Sequence, residues 1–230
     1  MSQTPSTATT RRLRPVDIGK PRMRGWLHLY AFFVAIAAGI VLVTLAATIG
    51  GGTRAAVSCA IYSVSVCGLF GTSALYHRRV WSARGYQIMR RLDHSMIFVF
   101  IAGTYTPFSV LLLSHTTAIV ILSVVWGGAI LGVGVTLIAP NAPRWLSAPI
   151  YVALGWVAIF VLPQIARRAG LTVLILMLLG GVFYTIGAVF YALRRPNPWP
   201  KTFGHHEFFH ACTLLAALCH QVALYFVLFS

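Results

Sequence analysis

Acid is what this sequence has least of. Its 230 residues include three Asp and Glu against 18 Lys and Arg, and charged side chains make up only 9%, where a soluble domain carries roughly 25%. So few charges cannot cover a water-exposed globule, which excludes an ordinary soluble protein. Cysteine is also scarce. Cys59, Cys67, Cys212 and Cys219 fall inside apolar stretches and none is spaced C-x-x-C, so they read as small hydrophobes and no cysteine metal site or disulfide is inferred. No soluble sensor domain is expected either.

What is abundant is hydrocarbon, with 58% of residues apolar. Runs of about 20 apolar residues, the length that crosses a hydrocarbon core of roughly 30 Å, recur along the chain. Seven are read here, at 26–49, 55–76, 95–113, 118–138, 146–165, 171–193 and 208–229. The breaks carry loop punctuation: three glycines from Gly50, a basic stretch over 78–91, Ser114-His115, Pro140 to Pro143, Arg167-Arg168 and the run from Arg194 to Pro200. The expected fold is an all-α integral membrane bundle of seven transmembrane helices over 25–230. Residues 1–24 are polar and basic and are expected to form a disordered cytoplasmic tail. The first apolar run exceeds the 7–15 residues of a signal-peptide core and is therefore read as a retained helix.

Lys and Arg set the orientation. With the N-terminus inside, 15 of the 18 fall on the cytoplasmic side, leaving Arg54, Arg167 and Arg168 opposite. This is a strong positive-inside bias, and it places the C-terminus outside the cytoplasm. The net charge of +15 then reads as a basic face against anionic lipid at the cytoplasmic surface, with no nucleic acid partner.

The few ionisable groups at membrane depth become the informative ones, because they are costly there and usually mark a site. Of the three acids, Asp17 lies in the tail, whereas Asp93 and Glu207 neighbour histidines in RLDHSMIF and HHEFFH. Asp93 is expected to open the third helix and Glu207 the seventh, both at the cytoplasmic rim. His77 follows Ser73 by four residues in SALYH, so the two share a helical face. His206 and His210 lie about 40° and one turn apart, the arrangement of two histidines binding one metal. Three remote elements thus bring Ser73, His77, Asp93, His206 and His210 to one depth. His220 shares the His210 face but lies roughly 15 Å deeper, where it can line a cavity and cannot share the metal. His28, His94, His115 and His205 are expected to be interfacial or hydrogen-bonded residues.

Three neutral imidazoles with an open position form a zinc pattern. Zinc lowers the pKa of a bound water to near 7, and Asp93 would orient that water or take its proton. Ser73 either serves the same site or bonds its own helix carbonyl. The chemistry that follows is hydrolysis of an amide or ester.

SALYH, LDHSMIFVFIAGTYTP and HEFFHACTLLAALCH together resemble the bacterial hemolysin III proteins, within the progestin and adipoQ receptor superfamily of seven-helix membrane proteins. The S-x-x-x-H motif falls on Ser73 and His77, the third-helix Asp on Asp93, and H-x-x-x-H on His206 and His210. The resemblance implies a Zn2+ site of three histidines near the cytoplasmic face, with the Asp reaching the metal through water. It also implies kinship with alkaline ceramidases and hence a lipid amide as substrate, alongside a cytolytic phenotype.

Two competing readings remain. HEFFH also reads as H-E-x-x-H, in which Glu207 would be the general base of an intramembrane metalloprotease. Against it, the motif lies on the last helix with no ligand following, and His77 and Asp93 fit the other pattern. Alternatively the zinc is structural, in a receptor-like regulator or a pore. In GTYTP, Pro107 frees a backbone carbonyl that Thr104, Tyr105 or Thr106 could satisfy, or these hydroxyls could line a cavity.

Overall fold

A computed structural model describes residues 20–49, 51–139 and 143–229. Among them the chain is all helical: α1 (Trp26–Thr48), α2 (Thr53–Arg78), α3 (Ala83–Leu112), α4 (His115–Ile138), α5 (Arg144–Gly155), α6 (Leu162–Leu193) and α7 (His205–Phe229). All but α5 are long and apolar enough to cross a membrane. The helices close a ring, each packing on its neighbour in sequence and α1 also packing on α7. Helix α3 in addition touches α5, α6 and α7. Its apolar window is two-thirds buried, the largest share of the six, so α3 is the central post of the bundle.

Two elements differ from the sequence expectation. Helix α3 begins at Ala83, not near residue 95, because Ser82 caps it: the Ser82 hydroxyl accepts from the Gly85 amide at 3.1 Å. Such a cap satisfies one of the amide groups orphaned at a helix start. Asp93 therefore does not open the third helix but lies almost three turns inside it.

The fifth apolar segment, expected as one helix over 146–165, is instead broken. Helix α5 is 12 residues long, the 3-10 turn Trp156–Phe160 follows, and the chain then enters α6. Arg167 and Arg168, expected in a loop, are helical within α6. The break comes after them at Gly170, with φ 77° and ψ 179°, a backbone geometry essentially reserved for glycine.

Breaking a helix inside an apolar bundle strands backbone groups that no water can reach. One side chain repairs the first break. The Tyr105 hydroxyl of α3 donates to the Gly155 carbonyl at 2.5 Å and accepts from the Ala158 amide at 2.7 Å. Thr104 and Thr106 donate to the Phe100 and Ala102 carbonyls of their own helix. Pro107 removes the donor for the Gly103 carbonyl, so neither threonine patches the proline site; the middle residue of TYT serves the neighbouring helix.

Residues 1–19, most of the expected tail, lie outside the described residues. The following stretch runs against the α6–α7 connection, with the Arg22 and Met23 amides donating to the Lys201 and Thr202 carbonyls at 3.0 and 3.1 Å.

Tyr105→Phe should lower stability by about 1–3 kcal/mol, the cost of leaving buried polar groups unpaired, read as the unfolding midpoint in detergent. An unchanged midpoint would remove Tyr105 as the splint of the α5 break.

Candidate metal centre and adjoining cavity

Helix α2 ends where α7 begins, and the two ends bring three imidazoles together. His77 Nε2 lies 3.0 Å from His206 Nε2, and one ring nitrogen from each of His77, His206 and His210 falls within 4.8 Å of the others. The His206 and His210 rings are 4.4 Å apart by centroid, and His77 sits 4.7 and 5.3 Å from them. Among the described residues these three make the group of His, Cys, Asp or Glu spaced to hold a metal. Ligands of one tetrahedral zinc at about 2.0–2.1 Å lie roughly 3.3–3.4 Å from each other. The donor set fits that ion in number, chemistry and spacing.

Asp93 and Ser73 come to the same region from α3 and α2. Ser73 is 2% exposed and stands beside the Asp93 carboxyl. Despite its depth within α3, Asp93 shares one cavity with His206 and His210, because that cavity runs along the inner face of α3. The cavity has a volume of about 160 Å³; Ser73, Asp93, His206 and His210 line one end. His77 meets the other two imidazoles ring to ring. Of the expected five residues, His77, His206 and His210 come together, and Ser73 and Asp93 line the cavity that His206 and His210 also line.

His94, beside Asp93, has both ring nitrogens occupied. Nδ1 lies 2.8 Å from the Arg90 carbonyl, so it carries the hydrogen, and Nε2 accepts from the Tyr191 hydroxyl at 3.3 Å. Its Nδ1 is also 3.6 Å from Asp93 Oδ2. His94 fits the expectation of a hydrogen-bonded histidine.

His28 does not. It is 2% exposed, both ring nitrogens lack hydrogen-bond partners, and its ring stacks on His210 at 3.7 Å and 10°. It also lines the cavity. A fourth imidazole therefore fixes the plane of one candidate ligand. The only signal in the sequence was a lone histidine three residues into an apolar helix.

Glu207 has a different task from the one H-E-x-x-H assigns. It is 1% exposed; Arg24 Nε donates to Oε1 and the Gly204 amide donates to Oε2 at 2.8 Å. With both oxygens engaged, it is poorly placed to take a proton from water. Its carboxylate instead clamps the segment before α1 over the site. Gly25 in that segment has φ 79°, and a Cβ there would lie 2.8 Å from His77 Cβ. The Arg78 guanidinium covers the Trp26 ring at 3.7 Å and ties α2 to the same segment.

Residues 16–221 match the family model described as "Haemolysin-III related". A "Hemolysin-3 homolog" of Bacillus subtilis (strain 168) is 31% identical over 187 residues, covering 81% of this chain and 84% of that protein. "Hemolysin-3" of Bacillus cereus is 28% identical over 202 residues, with 87% and 89% covered. An "Adiponectin receptor protein" of Drosophila melanogaster is 30% identical over 170 residues, covering 63% of this chain and 37% of the receptor. The chain is therefore a member of the haemolysin III-related family of multi-pass membrane proteins.

Proposed function

We propose that this protein is a zinc-dependent hydrolase of lipid amides or esters. In this reading the N-terminus is cytoplasmic, the C-terminus extracytoplasmic, and α5, the 3-10 turn and the start of α6 together form a seventh crossing. His77, His206 and His210 hold the metal. Bound zinc supplies Lewis acidity and an acidified water at neutral pH. Asp93 would orient a water at this end of the cavity or receive its proton, and Ser73 would hold the Asp93 carboxyl in place. The observation that carries the reading is a shared cavity: an acid, its hydroxyl partner and two of the three imidazoles line one apolar chamber.

An apolar chamber suits an acyl chain, and the basic face suits anionic lipid. An H-E-x-x-H protease is disfavoured because Glu207 is held by Arg24 and Gly204.

Purified protein should hold about one zinc per chain. The metal should be lost in a His206→Ala, His210→Ala double variant and largely lost in His77→Ala. Full occupancy with unchanged affinity in His77→Ala would contradict the three-histidine site.

Asp93→Asn should keep the metal and reduce hydrolysis of ceramide-like or acyl-ester lipids by about 10²–10⁴, the usual weight of one general base. Glu207→Gln should retain hydrolysis while lowering stability by about 1–3 kcal/mol through the weakened Arg24 contact. Hydrolysis abolished by Glu207→Gln yet little changed by Asp93→Asn would favour the protease chemistry. No hydrolysis of any lipid by the wild type, with vesicle leakage persisting in metal-free variants, would favour a pore.

For orientation, a reporter after Ser230 should read extracytoplasmic and one placed after Arg79 should read cytoplasmic. The opposite result from both would invert the topology.

A further inference from the structure

The cavity has a second polar end. At the end away from the candidate metal ligands, its wall carries Tyr184 of α6 and His220 of α7, ring centroids 5.6 Å apart. His220 follows His210 by ten residues on one helix and so lies roughly 15 Å farther along the bundle. The Tyr184 hydroxyl and His220 Nδ1 are both buried without a hydrogen-bond partner. Two orphaned polar atoms in an apolar bundle are costly, and here both belong to residues that line one chamber.

Their chemistry is specific. His220 Nε2 lies 3.4 Å from the Met177 carbonyl; a carbonyl only accepts, so Nε2 carries the ring hydrogen and Nδ1 presents a bare lone pair. That lone pair needs a donor, whereas the Tyr184 hydroxyl can donate. A single ligand group that donates to Nδ1 and accepts from Tyr184 satisfies both, and a hydroxyl does so. A ligand carbonyl or carboxylate would engage Tyr184 and leave the His220 lone pair facing another lone pair.

The position is also built to hold the imidazole. Gly180 of α6 faces it, and a Cβ at that glycine would lie 2.3 Å from His220 Nε2. Only a residue without a side chain leaves room for the ring between α6 and α7.

We propose that Tyr184 and His220 form a distal subsite for a hydroxyl group on the hydrocarbon chain of the bound lipid. This rests on the reading of the cavity as a lipid site. A span of roughly 15 Å corresponds to about 12 carbons of extended chain, so the hydroxyl lies about that far from a carbonyl placed at the histidine cluster. The ligand class is a mid-chain hydroxylated acyl lipid.

The test compares stearate, 12-hydroxystearate and 2-hydroxystearate for binding to zinc-loaded protein in bilayer nanodiscs, by displacement of radiolabelled stearate. The 12-hydroxy chain should bind about tenfold more tightly than stearate, the weight of two hydrogen bonds, and the 2-hydroxy chain should not share the gain. Tyr184→Phe should reduce the preference to less than about twofold. Equal binding of all three by the wild type, or an advantage for the 2-hydroxy chain, would overturn the subsite even if the variant fails to fold. That outcome says ordered water alone satisfies Tyr184 and His220. Hydrolysis is scored separately: a 12-hydroxy preference without turnover removes the hydrolase and keeps the subsite, and turnover without preference does the reverse.

Discussion

A polar group surrounded by hydrocarbon must find its partner inside the protein, because no water is there to supply one. Much of this bundle follows from that constraint. The broken fifth segment persists because the Tyr105 hydroxyl takes up both an orphaned carbonyl and an orphaned amide. Glu207 is held at full burial because Arg24 and Gly204 occupy both its oxygens. The three imidazoles on α2 and α7 aim at each other, an arrangement that makes chemical sense around a shared cation. Among the described residues, the histidines with fully buried ring nitrogens that lack a partner, His28 and His220, both line the cavity.

The sequence exposed the spans well, since a run of about 20 apolar residues matches the thickness of a bilayer core. It did less well where helices extend beyond the hydrocarbon. The first three turns of α3 carry Arg84, Arg90 and Arg91 and look like a basic loop, yet the Ser82 cap nucleates helix there. Hydropathy registers apolarity and is blind to such a polar helical extension. It is equally blind to an interruption that stays apolar: Trp156–Phe160 reads as continuous hydrocarbon but forms a 3-10 turn, because its stability rests on a hydroxyl 50 residues earlier in the chain.

The candidate site was legible where spacing carries geometry. Four-residue separations on α2 and α7 put Ser73 over His77 and His206 over His210, and the shared depth of the two helix ends did the rest. Contacts between remote elements had no such signal. His28 looked like one histidine in an apolar segment, and only the packing of α1 against α7 lays its ring on His210. Glu207 carried a misleading signal: H-E-x-x-H suggests a base, while its partner Arg24 lies in a basic segment that reads as part of the tail.

The central claim is that α2 and α7 converge on one metal held by imidazole nitrogen. Zinc K-edge X-ray absorption of the zinc-loaded protein tests it most directly. The account predicts about four nitrogen or oxygen neighbours at about 2.0–2.1 Å, with outer-shell scattering from about three imidazoles. Sulfur neighbours at about 2.3 Å, or a first shell without imidazole scattering, would contradict it.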